Sequence, residues 1–167
     1  VVRESLEQNQ NENIASGDLL DLMRRAKCFG INLARSDIRQ ESSRHTQLIA
    51  ELVKKKFNKN YYKFTEDEKI NFLKSKLILN KNCINKFKFS NKENKEVWST
   101  FNILADEPSE CLGAYVISMT TSASDILSVS FLQKEAKITD KLRVVPLFET
   151  LDDLINAKTI MKNLFSK

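Results

Sequence analysis

Apolar positions recur along this chain in two rhythms, and the rhythms divide it into elements. In "GDLLDLMRRAKCFG" (17–30), Leu19, Leu22, Met23 and Ala26 fall on one helical stripe. Asp18 is the expected N-cap, and Gly30 stands where a helix ends in glycine. "INLARSDI" (31–38) reads as a short strand, although Ile31, Leu33, Ser36 and Ile38 alternate imperfectly. "ESSRHTQLIAELVKKKF" (41–57) reads as a helix starting near Ser42 or Ser43, with Ile49, Leu52, Val53 and Phe57 on one face. "TEDEKINFLKSKLIL" (65–79) is a second such helix. Its Thr65 and Glu68 have capping-box spacing, and its first-turn acids suit the helix dipole. "NKENKEVWSTFNILAD" (91–106) is a third, striped by Val97, Phe101 and Leu104. Residues 1–17 are polar and weakly patterned, as in a loop or frayed helix end.

After Pro108 the rhythm changes. "LGAYVISM" (112–119) is a mostly apolar run of β-formers, the pattern of a strand covered on both faces. A helix follows over 120–136, opened by Thr and Ser caps. "LRVVPLFE" (142–149) reads as another buried strand, with Pro146 awkward in its ladder. A last helix covers 150–165, with Thr150 as cap and Asp152 and Asp153 in its first turn. Buried strands alternating with helices predict a helix-rich α/β fold with a parallel sheet and a long helical excursion between strands. In such folds chemistry gathers where strands run into helices. Three junctions of that kind exist: "DIRQES", "SMTTS" and "FETLDD". Neither G-x-G-x-x-G nor a Walker loop accompanies them, so a nucleotide-binding reading lacks its fingerprint.

Composition narrows the class. The 167 residues make about one domain, and 41% hydrophobic with 29% charged residues suits a soluble globular chain. No stretch approaches the roughly 18 consecutive apolar residues of a membrane span. The start "VVRESLEQNQ" has neither a signal pattern nor an initiator Met, and the end "NLFSK" stops in a helical turn; a piece of a longer chain is expected. Cys28, Cys83 and Cys111 are widely spaced, which fits reduced thiols of a cytosolic protein rather than a zinc site. The net charge of +5 arises largely from lysine, which is dense between Val53 and Glu96. Arginine is absent from that stretch, as on a solvated, permissive surface. Two rival classes remain on these grounds. One is a nucleic-acid or acidic-partner binding module using Lys54, Lys55 and Lys56, which predicts salt-dependent retention on DNA. The other is a non-catalytic α/β structural domain.

Each junction offers candidate chemistry beside an ordinary explanation. Arg39 has the fork that takes phosphate or carboxylate bidentately, or it pairs with Asp37 or Glu41. His45, the only histidine, is either an acid/base group or a structural helix residue. Ser118, Thr120, Thr121 and Ser122 offer hydroxyls at a helix start, which can hold an anion or simply cap. Glu149 ends a buried strand and is a candidate oxygen ligand for a hard divalent cation. Asp152 and Asp153 are accounted for by the helix dipole.

Quoted together, "LLDLMRRAKCFGINLARSDIRQESSRHT", "AYVISMTTSASDILSVSFLQKEA" and "LRVVPLFETLDDLINA" resemble consecutive blocks of phosphoenolpyruvate carboxylase, in order and spacing. The resemblance covers most of residues 14–165 and is weak over about 53–108. It implies that residues 1–167 are one fragment of the catalytic barrel domain, a partial (β/α)8 barrel, with 53–108 as a Lys/Asn-rich helical excursion. It implies carboxylation of phosphoenolpyruvate by bicarbonate, through carboxyphosphate and an enolate, to oxaloacetate and phosphate, with Mg2+ or Mn2+ as cofactor. It also implies a cytoplasmic, anaplerotic homotetramer that binds neither nucleic acid nor membrane. Arg39, the arginine of "DIRQ", is implied to hold substrate phosphate. Glu149, the glutamate of "FET", is implied to bind the metal. The family's second metal-binding aspartate, its neighbouring lysine, its catalytic histidine and its Gly/Arg-rich loop have no counterpart here, so the chain alone is expected to be inactive. Ser36 stands where the family usually has an apolar residue, and Ala123 where proline is common; neither touches the implied ligands.

Overall fold

The computed structural model describes residues 1–30, 34–79, 83–84 and 87–165. The chain divides into two compact units, Val1–Arg35 and Ser36–Lys167. In the first, the polar start, expected as loop or a frayed helix end, forms two short helices, α1 (Val2–Gln8) and α2 (Glu12–Ala15). Helix α3 (Asp18–Phe29) forms as its stripe predicts, but Gly17 is the N-cap and Asp18 the first helical residue. Gly30 closes it at φ 64°, a left-handed φ that glycine adopts without a Cβ penalty. The α3 stripe is not buried within this chain: Leu22 is 63% and Met23 44% exposed.

The second unit is built on a parallel sheet in the order β1 (Ser36–Glu41), β2 (Leu112–Ser118), β3 (Arg143–Pro146). Each strand leads into a helix: β1 into α4 (Ser42–Phe57), β2 into α7 (Ala123–Glu135), β3 into α8 (Leu151–Phe165). Between β1 and β2 the chain leaves the sheet through α4, α5 (Glu66–Ile78) and α6 (Lys92–Asp106). The expected alternation of strands and helices is therefore present, with all pairings parallel.

Strand boundaries differ from the periodicity. The first strand does not stop at Ile38; it continues to Glu41, because pairing with β2 runs on to Glu41↔Ser118. Arg39 consequently lies within the strand, opposite Val116. Residues 31–33, including Ile31 and Leu33, lie outside the described residues. The pairing shifts between Ser36 and Ile38, where the Asp37 carboxylate accepts the Ala114 N–H at 2.6 Å. A Cβ on Gly113 would meet that carboxylate at 2.2 Å, so the close approach requires glycine there. Pro146 is accommodated opposite Ile117, since the Leu147 N–H, one residue on, donates to Ile117 O at 2.8 Å.

Side chains alternate across β1 and β2. Tyr115 and Ile117 are fully buried, while Val116 and Ser118 on the other face are only partly covered. Two-sided coverage of β2 is thus met on one face within this chain. The core joins Leu48, Ile49, Leu52 and Val53 of α4 to Val97, Phe101 and Leu104 of α6 and to Val129 and Leu132 of α7. Phe57 is partly buried against this core. Helix α7 is buried on nearly every side, from Ala123 to Glu135. The capping box at α5 forms as its spacing predicts: Thr65 Oγ1 accepts the Glu68 N–H, and Glu68 accepts the Thr65 N–H at 2.8 Å.

Part of the lysine-rich stretch serves the fold itself. Lys55 pairs with Glu51 at 2.8 Å, Lys56 donates to the Cys83 carbonyl, and Lys76 lies over the Phe57 ring at 4.7 Å. Glu51 also accepts from Asn94 Nδ2 and the Ser90 N–H. Burial works against the Glu51 carboxylate, but the Asn94, Lys55 and Ser90 hydrogen bonds bring its pKa down to about 2. No described helix is long and apolar enough to cross a membrane.

Candidate active site

The three junctions lie together at the C-terminal edge of the sheet. Beyond β3, the Thr120 N–H donates to Leu147 O at 3.3 Å, which holds 147–149 beside the end of β2. Glu149 is thereby brought to Arg39 across the width of the sheet. Arg39 Nη2 donates to Glu149 Oε1 at 2.9 Å, although 110 residues separate the two. The other carboxylate oxygen, Oε2, accepts the Met119 N–H at 3.0 Å.

Arg39 takes neither of its expected local partners. The Asp37 carboxylate is occupied by the Ala114 N–H, and Glu41 accepts from Ser43 Oγ at 2.7 Å. Arg39 remains 63% exposed on its side chain and Glu149 33%, so the pair is open to a ligand. An exposed ion pair of this kind contributes at most about 1 kcal/mol, so separating it costs little.

Met119 adopts φ 53°, left-handed backbone in a residue other than glycine. Such a conformation costs about 1–3 kcal/mol and persists where surrounding contacts over-determine it. Here they do: the N–H is held by Glu149, and the carbonyl accepts Ser42 Oγ at 2.6 Å from the first residue of α4. Met119 therefore joins all three junctions, which no pattern in the sequence signalled.

The second junction is closed by the chain's own acids. The Thr121 and Ser122 N–H groups donate to Asp125 Oδ2 at 3.1 and 3.0 Å. Ser124 donates to Glu66 through its N–H and its hydroxyl, both at 2.8 Å. Thr120 is buried with its hydroxyl on Ile117 O. The hydroxyls of Thr120, Thr121 and Ser122 are thus taken up within the protein, and Glu66, read from sequence only as a dipole acid of α5, reaches across to α7. At the third junction Thr150 caps as expected, with Thr150 Oγ1 accepting the Asp153 N–H at 3.1 Å. Asp153 does more than suit the dipole, since it accepts the Thr150 N–H in return at 3.0 Å. The Thr150 N–H and hydroxyl, with the Glu149 N–H, hold the Asp153 carboxyl below its ordinary value.

His45 is fully buried and structural in its setting. Its Nε2 lies 2.9 Å from Tyr115 Oη and 3.3 Å from Gln40 Oε1. Burial, with the nearby Arg44 charge, lowers its pKa to about 3. Arg44 itself pairs with Glu96 at 3.3 Å.

Among the described residues there is no group of three or more His, Cys, Asp or Glu side chains placed to hold a metal. The Glu149 carboxylate is the candidate oxygen donor beside Arg39. Each of its oxygens accepts a single protein hydrogen bond, and a carboxylate has about four acceptor positions, which leaves room for a hard cation as well.

Parallel strands feeding helices, with an exposed arginine–carboxylate pair across their C-terminal ends, define an α/β protein whose candidate site is the strand-end edge of the sheet. The comparisons make this specific: residues 1–167 match the family model for phosphoenolpyruvate carboxylase, and the chain belongs to that family. The phosphoenolpyruvate carboxylase of Edwardsiella ictaluri (strain 93-146) is 45% identical over 153 residues, 92% of this chain and 17% of the relative. That of Acinetobacter baumannii (strain ATCC 17978) is 44% identical over 169 residues, 97% of this chain and 19% of the relative. That of Medicago sativa is 42% identical over 153 residues, 92% of this chain and 16% of the relative. The chain thus spans under a fifth of the length of these relatives.

Proposed function

We propose that this chain forms part of a phosphoenolpyruvate carboxylase and supplies two arms of its active site, Arg39 for substrate phosphate and Glu149 for the divalent metal. The observation that carries the reading is the 2.9 Å contact between Arg39 and Glu149, which puts a phosphate-type cation and a metal-type anion at one point on the strand-end edge. On this reading the three strand–helix units are a sector of a (β/α)8 barrel, closed by strands of the longer protein.

In the reaction, a bicarbonate oxygen attacks the phosphorus of phosphoenolpyruvate, and the bond from phosphorus to the enol oxygen breaks. Carboxyphosphate and the enolate result. Carboxyphosphate separates into CO2 and phosphate, and the enolate carbon takes up the CO2 to give oxaloacetate. The Arg39 fork binds two phosphate oxygens, in the bound substrate and in the transition state alike. Glu149, oriented by the Met119 N–H, is one ligand of Mg2+ or Mn2+, the others coming from the longer protein. The bound cation supplies Lewis-acid stabilisation of developing oxygen charge. Arriving phosphate would compete with Glu149 for Arg39, and the Glu149 carboxylate would hold the metal. The full enzyme on this reading is a cytoplasmic homotetramer.

Neither arm suffices alone, so the isolated 167-residue chain is expected to be inactive. A coupled oxaloacetate assay with phosphoenolpyruvate, bicarbonate and Mg2+ checks both halves of the proposal. Turnover by the full-length protein and a blank-level rate from the isolated chain are expected. A full-length protein without turnover would contradict the assigned reaction, and turnover by the isolated chain would contradict the division of the site.

A further inference from the structure

We propose that Gln40, His45 and Tyr115 form a positioning network that fixes the end of β1 and thereby aims Arg39 at the substrate phosphate. The proposal rests on the reading of Arg39 given above. It concerns three side chains, none of which touches the charged pair.

The network is a closed triangle. Tyr115 Oη donates to Gln40 Oε1 at 2.7 Å, and His45 Nε2 lies 2.9 Å from the same hydroxyl. Gln40 Oε1 can only accept, so the tyrosine proton points to it. The tyrosine oxygen is then free to accept, which assigns the imidazole proton to Nε2. His45 Nδ1 carries no proton in that tautomer and has no hydrogen-bond partner. His45 and Tyr115 are both fully buried. Phe101 stacks on the Tyr115 ring at 5.2 Å and meets the His45 ring edge-on at 6.2 Å. Aromatic packing therefore fixes the rings, and the hydrogen bonds fix the strand to them.

Its placement gives the network its consequence. Gln40 is on β1, Tyr115 on β2 and His45 in the first turn of α4, so the triangle ties three elements at one junction. Gln40 turns toward the helices, and by alternation Arg39 and Glu41 turn to the opposite face. The grip is applied one residue from Arg39, from the side away from the ligand. Burying a hydroxyl and an imidazole is costly unless they find polar partners, and apolar side chains would fill the space without that condition. What the polar trio adds is a unique register for the strand end. A site residue left loose by about 1 Å can lose up to about a hundredfold in kcat/KM.

The experiment is a double-mutant cycle in the full-length protein, reading kcat and KM for phosphoenolpyruvate. Tyr115→Phe removes the bridging hydroxyl and keeps the ring; Gln40→Met removes the acceptor from the strand side. Each is expected to raise KM about tenfold with kcat within about twofold, because a phosphate contact serves ground and transition states alike. Leu132→Ala, in the same core but outside the triangle, is expected to lower Tm while leaving KM unchanged. In an Arg39→Gln background, Tyr115→Phe should change kcat/KM by less than about twofold, since its effect passes through Arg39. An unchanged KM in both network variants, or a tenfold loss that persists in the Arg39→Gln background, would overturn the network alone. A wild-type KM in Arg39→Gln itself would remove Arg39 from the phosphate site, and the network's role with it.

Discussion

His45 shows how one buried side chain sets a pH window. Its folded-state pKa is about 3 against an ordinary 6.5, so the folded protein keeps the ring neutral where the unfolded chain protonates it. Above pH 6.5 neither state takes the proton, and stability owes nothing to this titration. As pH falls below 6.5 the unfolded state gains a proton that the folded state refuses, and stability drops by about 1.4 kcal/mol per pH unit toward pH 3. Glu51 acts lower down: its pKa falls from 4.5 to about 2, so its contribution is complete above pH 4.5 and fades toward pH 2. Between pH 6.5 and 5 the loss should belong to His45. Thermal melts across that range should slope downward with acid in the wild type and flatten in His45→Gln; equal slopes would exclude His45 as the source. At this scale the sequence offered types without partners. A lone histidine in a charged stretch reads more readily as structure than as a site, but nothing there names its partners. Its burial depends on Tyr115 and Phe101, residues far along the chain that no local pattern connects to it.

At the scale of elements, the start of α7 carries the clearest consequence. Its N–H groups point at Asp125 and Glu66 rather than at a ligand. Glu66 makes two charge-assisted hydrogen bonds to Ser124 from the first turn of α5, which links the helical excursion to the second strand–helix junction. Glu66→Ala should therefore lower unfolding free energy by about 2 kcal/mol in urea titrations. Asp67→Ala, in the same turn but exposed, should fall within about 0.5 kcal/mol of wild type. Equal effects would mean that both acids act only on the α5 dipole. Helix α5 was readable from its capping box, and α4 and α6 from the stripes they turn to the core. The end of β1 was not, because its last residues are held by pairing with β2, a long-range contact that overrides poor alternation. Pro146 likewise argues against a strand until the neighbouring Leu147 N–H is seen to take up the ladder.

Over the whole molecule, the order of elements and the parallel sheet followed from hydrophobic rhythm, and the site's two charged residues from their places at strand ends and the family resemblance. What the rhythm could not give is their meeting. Arg39 and Glu149 come together only because β1 and β3 flank the same central strand and the Leu147–Thr120 bond turns the chain back over it. The apolar positions that stay exposed, Leu22 and Met23 on α3 and Leu154 and Ile155 on α8, show the same limit from the other side. A stripe tells which face seeks cover, but not what supplies it. The central claim is that Glu149 is a metal ligand of the carboxylase site, and Mn2+ binding to the full-length protein tests it most directly, independently of turnover. Glu149→Gln keeps the side chain's size and removes its charge. The account predicts that Mn2+ affinity falls at least about tenfold in a calorimetric or paramagnetic titration; wild-type affinity in that variant would contradict it.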